Sequence, residues 1–151
     1  CLYGIAADCA ERNVLGPDVA IEIEAIDETN TRIDLPALKY SIMINGVTQL
    51  LMMKADVLNV FPVIKACTKY RLKDGTLTEM LPYELIHEKI TPVYEELAGW
   101  NCPLSGISEE VMPAELRQYI DFLERHLNVP ITLISTGPDR TQTVYRQSIP
   151  A

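Results

Sequence analysis

No stretch of this 151-residue chain approaches the roughly 20 consecutive apolar residues that a membrane-spanning helix needs. There is no basic start followed by a long apolar run, so no signal peptide is read. Positive charge is scarce: 13 Lys and Arg stand against 21 Asp and Glu, for a net charge of −8. A nucleic-acid or anionic-membrane partner requires a basic face, and this composition speaks against both. No GxxxxGK[ST] occurs, so the chain has no P-loop and a small-GTPase fragment is poorly supported. The four cysteines, Cys1, Cys9, Cys67 and Cys102, form no CxxC pair and no ligand spacing with His87 or His126. No metal site is expected from them. The plain reading is reduced thiols in a cytoplasmic protein, with a disulfide left open. Internal repeats and low-complexity segments are absent as well.

What is present fits one ordinary domain: 48% hydrophobic and 23% charged residues, in a length sufficient for a real core. The first residue is Cys1 rather than Met, which reads as the edge of a fragment or a processed chain. "YGIAADCAERNVL" reads as a helix. "DVAIEIEAI" alternates, with Val19, Ile21, Ile23 and Ala25 on one face of a strand. "DLPALKYSIMINGV" has both helix ends marked. Asp34 is placed to cap, Pro36 sits in the first turn, Leu35, Leu38, Ile42 and Met43 form the stripe, and Asn45-Gly46 stops it.

"VTQLLMM" follows as a continuous apolar run, as expected for a strand covered on both faces. Lys54 to Asp56 then lies at its carboxyl end, and a short helix is expected from Val57 up to Pro62. "VIKACTKYRLKDGTLTEML" reads as two strands joined at Asp74-Gly75, and Pro82 to Trp100 as irregular. "MPAELRQYIDFLERHLN" is the strongest helix, striped by Leu116, Ile120, Leu123 and Leu127. "VPITLIS" is a buried strand, left through the loop "TGPDRTQT".

Two helix–strand units, 34–53 and 113–135, each end in a polar loop. In α/β sheets, ligands collect beyond the carboxyl ends of parallel strands, which nominates 54–56 and 135–140. A Lys-x-Asp unit there suits guanine. One carboxylate accepts from both N1–H and the 2-amino group as a charge-assisted bidentate pair, whereas adenine would leave it unpaired. The lysine stem can cover the ring face. Ser135-Thr136-Gly137 can donate backbone N–H to the base oxygen, with Gly137 permitting close approach and Pro138 covering the other face. Each loop also has a plain reading. Lys and Asp two apart are commonly just solvated, and Gly-Pro and Pro-Asp are ordinary turn dipeptides. His87 and His126 read as solvated or structural, Trp100 and the tyrosines as packing residues. For Arg140 an ion pair competes with a ligand contact.

"DLPALKYSIMINGVTQLLMMKADVLNVF", "IKACTKYRL", "PVYEELAGW" and "VPITLISTGPDRTQT", in that order, resemble the C-terminal part of the adenylosuccinate synthetase family, from about Ile33 to Gln147. Residues 1–31 are not matched. The resemblance implies an α/β fold: a mixed, largely parallel sheet with flanking helices and a β-hairpin, its sheet like that of P-loop nucleoside triphosphatases. It implies a single partial domain. It also implies a ligase of purine biosynthesis that uses GTP, IMP, L-aspartate and Mg2+, is cytoplasmic and is homodimeric at full length.

Lys54, Ala55 and Asp56 would form one half of the GTP guanine site, and Ser135, Thr136 and Gly137 the other. The family's catalytic aspartate and histidine, its phosphate-binding loop and its metal ligands belong to a portion absent from this sequence. No catalytic residue is therefore assigned, and the fragment alone is expected to be inactive. The family's arginine-rich G-R-P-R-R loop is replaced here by "DETNTRIDL", with Arg32 alone. That departure leaves open a second reading, a non-catalytic guanine-nucleotide-binding or interaction module derived from the family.

Overall fold

The computed structural model describes residues 20–23, 32–83 and 89–146. Among the described residues, eight strands and two helices follow in the order β1 (Ala20–Ile23), β2 (Arg32–Asp34), α1 (Leu35–Asn45), β3 (Gln49–Met52), β4 (Val63–Arg71), β5 (Leu77–Thr78), β6 (Thr91–Ala98), α2 (Ala114–Leu127), β7 (Ile131–Ser135) and β8 (Thr143–Tyr145). A 3-10 turn, Val57–Val60, separates β3 from β4.

The strands form two four-stranded sheets. In the first, ordered β1-β3-β7-β8, the β1–β3 and β3–β7 pairs are parallel and β8 runs antiparallel. This is the mixed, largely parallel sheet expected from the sequence. In the second, β4 is central. It pairs in parallel with β2 and antiparallel with β5 and β6.

Local chemistry accounts for the helix ends. The Asp34 carboxylate accepts from Ala37 N–H at 3.1 Å, as an N-cap should, and Gly46 closes α1 in the left-handed conformation with φ of 62°. Asp34 also accepts from the Tyr70 hydroxyl at 2.6 Å, which ties the start of α1 to β4. The α1 stripe is buried only at its start. Leu35 and Leu38 enter the core, while Met43 is 66% exposed. In α2 all four predicted stripe residues are buried, joined by Tyr119 and Phe122. They pack with Leu50, Met52, Ile64, Ile131 and Ile134 in one core.

The Glu124 carboxylate fastens the far end of α2 to the first sheet. It accepts from Ile131 N–H at 2.6 Å and from the Arg146 guanidinium at 2.7 Å. His126 tilts against Phe122 with ring centres 4.3 Å apart, a structural role, and Trp100 tilts against Tyr119 at 5.8 Å as the packing residue expected.

Part of the stretch 82–100 expected to be irregular is instead the eight-residue strand β6, paired with β4 from Val63↔Ala98 to Arg71↔Thr91. Pro92 suggested a break. Among the described residues β6 pairs only with β4, so it is an edge strand there, where a proline without an N–H is tolerated. The helix expected over 3–15, residues 84–88 with His87, and the cysteines Cys1 and Cys9 lie outside the described residues.

Candidate functional site

β3 and β7 are parallel neighbours, so their carboxyl ends open at the same edge of the sheet. Leu50 and Met52 bury one face of β3, and Gln49 and Leu51 are half-buried on the other. The chain leaves β3 at Lys54, which adopts φ of 57°, a left-handed conformation that few non-glycine residues accept. That turn puts the exposed Lys54 outside and folds Ala55 inward, where it is fully buried. Ala55 N–H donates to the Ser135 carbonyl at 3.0 Å. This single bond extends the β3–β7 pairing past the strand ends and brings the two nominated triplets together.

Asp56 opens the 3-10 turn. Its carbonyl accepts from Asn59 N–H at 3.2 Å. Its side chain is half-buried, and the carboxylate accepts no hydrogen bond and makes no ion pair among the described residues. The carboxylate oxygens are thus open to a partner beyond the described residues.

The second triplet is tightly braced. The Ser135 hydroxyl donates to the Gly137 carbonyl at 3.0 Å. Thr136, buried like Ser135, donates both its N–H (2.8 Å) and its hydroxyl (3.0 Å) to the Gln142 carbonyl. Thr136 N–H is therefore occupied and not available as the base-oxygen donor expected from this triplet, unlike that of Gly137. The Gly137 N–H meets no protein acceptor among the described residues.

A side chain on Gly137 would point at the Gln142 amide, with Cβ only 2.3 Å from Oε1. The close approach at Gly137 is thus to the end of the flexible Gln142 side chain, which a side chain here would displace. Asp139 closes the outer end. Its carboxylate accepts from Thr141 N–H and hydroxyl, both at 2.8 Å, and the Thr141 N–H holds it below the ordinary carboxylate range. Pro138 and Arg140 are exposed, and Arg140 makes no ion pair among the described residues.

The sequence reading held Asp139 only as a member of the nominated 135–140 loop and did not pick out Gln142 or Thr141. Asp139-x-Thr141 is an Asx-turn pattern and was the available signal. Among the described residues no group of three or more His, Cys, Asp or Glu converges as a metal site, and no helix is long and apolar enough to cross a membrane.

Comparison with known proteins gives a consistent result. The family model for adenylosuccinate synthetase matches residues 30–144. The chain is 50% identical over 115 residues to the adenylosuccinate synthetase of Cytophaga hutchinsonii, covering 76% of this chain and 27% of that protein. It is 51% identical over 117 residues to that of Porphyromonas gingivalis, covering 77% and 27%. In three dimensions it is similar to the fully ligated adenylosuccinate synthetase of Plasmodium falciparum, with a TM-score of 0.70, 28% identity, and coverage of 76% of this chain and 28% of that one. The chain thus spans about 27% of the length of the curated relatives it matches.

Proposed function

The chain belongs to the adenylosuccinate synthetase family, and on that premise we propose that it carries the guanine subsite of a GTP-dependent ligase. In the reaction proposed for the whole polypeptide, the γ-phosphoryl group of GTP passes to the purine oxygen of IMP and GDP leaves. The amine of L-aspartate then attacks the same ring carbon, phosphate departs, and adenylosuccinate is formed. Segments beyond this one would supply the acid–base and phosphoryl-transfer groups. Magnesium would be held there as well. A cytoplasmic setting and a full-length homodimer belong to the same proposal. The segment alone is expected to be inactive.

The observation that carries the reading is the 3.0 Å bond from Ala55 N–H to the Ser135 carbonyl, which sets the uncommitted Asp56 carboxylate and the Gly137 N–H at one sheet edge. Asp56 would accept from guanine N1–H and the 2-amino group, Gly137 would donate to the base oxygen, and the Lys54 stem would lie over the ring. Two charge-assisted hydrogen bonds at roughly 1.5–3 kcal/mol each imply a large discrimination against adenine.

The test is calorimetry with GTP and ATP on wild type and Asp56→Ala. Wild type should prefer GTP, and the variant should lose about 3 kcal/mol, or roughly a hundredfold, on GTP alone. Equal binding of both nucleotides by wild type would sink the assignment.

A further inference from the structure

The shape of the 135–137 triplet is not set by the strand register alone, because β7 ends at Ser135. Beyond it, besides the Ser135 hydroxyl on the Gly137 carbonyl, the turn is held largely from Gln142. Gln142 carbonyl receives both donors of Thr136, and Gln142 Oε1 accepts from Asp139 N–H at 3.1 Å. The same amide group fills the space where a Gly137 side chain would stand, with Oε1, Cδ and Nε2 at 2.3, 2.7 and 3.1 Å from the Cβ position. One side chain therefore spans the turn from Gly137 to Asp139. The Asp139–Thr141 turn, in which Gln142 N–H donates to the Asp139 carbonyl at 2.9 Å, in turn fixes where that side chain starts.

We propose that Gln142 is a positioning residue for nucleotide-base recognition: its side-chain amide locks the 137–139 turn so that Gly137 N–H is presented to the oxygen of a guanine base. The inference rests on the guanine reading above. It adds a residue that touches no ligand and acts through the loop. A methyl group at position 137 would drive the Gln142 amide off Asp139 N–H, so Gly137→Ala and Gln142→Ala should impose the same defect by two routes.

The experiment is calorimetric titration of the intact polypeptide with GTP, with 6-thio-GTP, whose sulfur is a poor acceptor in place of the base oxygen, and with ITP, which lacks the 2-amino group. Gln142→Ala should weaken GTP about five- to tenfold and shrink the preference for GTP over 6-thio-GTP, because a loosened donor loses its best acceptor. The preference for GTP over ITP reports on the Asp56 side of the base and should stay as in wild type. Gln142→Glu keeps an acceptor oxygen for Asp139 N–H and should remain within about twofold of wild type.

Gly137→Ala should weaken GTP in the wild-type background and cost less than about twofold more in Gln142→Ala, where the methyl group displaces nothing. Equal costs in both backgrounds would overturn the proposal. So would a Gln142→Ala variant that binds all three nucleotides as wild type does, or that weakens all three alike with a lowered Tm, which is the mark of a general structural role. A wild type that binds ATP as well as GTP overturns the guanine reading. Retained GTP preference without a Gln142 effect overturns only the positioning role.

Discussion

Ala55 N–H donates to the Ser135 carbonyl at 3.0 Å, and Ala55 has no exposed surface. The two loops therefore meet through backbone, over a site with no room for a larger side chain. Ala55→Leu should overpack this junction and cost about 1–3 kcal/mol of stability. Because the loops separate, it should also weaken GTP. Chemical denaturation and calorimetry on the same variant check the pair of effects. A variant with full stability would mean that the junction is looser than the geometry implies.

Lys54 holds a left-handed backbone at φ of 57°. Such strain in a non-glycine residue costs of order 1 kcal/mol and persists where function demands the side chain. Lys54→Gly should leave stability within about 1 kcal/mol of wild type, since relieved strain offsets lost side-chain contacts and added chain entropy. GTP affinity should nevertheless fall severalfold as the ring loses its cover. Unfolding curves paired with nucleotide titration test this. A large loss of stability with unchanged affinity would assign Lys54 to structure instead.

Tyr70 donates to Asp34 at 2.6 Å while Asp34 caps α1. Tyr70→Phe should cost about 1.5–3 kcal/mol, the usual scale for one hydrogen bond to a charged acceptor. Asp34→Ala should cost more, because it removes the cap together with the carboxylate to which the buried Tyr70 hydroxyl donates. Urea denaturation of both variants ranks them, and the reverse order would contradict the shared-acceptor arrangement.

Cys67 sits on β4 opposite Asp34, and its thiol is pushed up to about 11, chiefly by burial and then by the Asp34 charge. A thiol whose pKa is higher folded than unfolded contributes stability that is complete below the unfolded value. That contribution is lost as the pH rises from about 9 to about 11, because the unfolded chain releases its proton first. Denaturation midpoints should fall across that window, and Cys67→Ser should flatten the fall. Mass-mapped alkylation at pH 8 should leave Cys67 unmodified until the chain unfolds.

The helices and the parallel sheet were legible because their signals are local. Asp34 and Gly46 mark both ends of α1, Leu116, Ile120, Leu123 and Leu127 repeat with the helical period, and "QLLM" and "ITLIS" are short apolar runs after helices. That Lys54–Asp56 and Ser135–Gly137 meet followed from two parallel strands being neighbours. β6 was hidden by Pro92, whose breaking effect vanishes on an edge strand. β8 was hidden because its three residues carry only one buried side chain, Val144. The bracing by Gln142 was illegible for another reason. A glutamine five residues after a glycine has no periodic signature, and its role comes from the turn that Asp139 and Thr141 build between them.

The central claim is that Asp56 reads the base edge, and substitution by its amide tests it most directly. Xanthine keeps N1–H but carries an oxygen where guanine has the 2-amino group. An asparagine, with one acceptor and one donor arm, matches xanthine and mismatches guanine. Affinities for GTP and XTP should therefore be compared between wild type and Asp56→Asn. A carboxylate reading the base predicts that wild type prefers GTP and the variant prefers XTP. The same order of affinities in both proteins would contradict it.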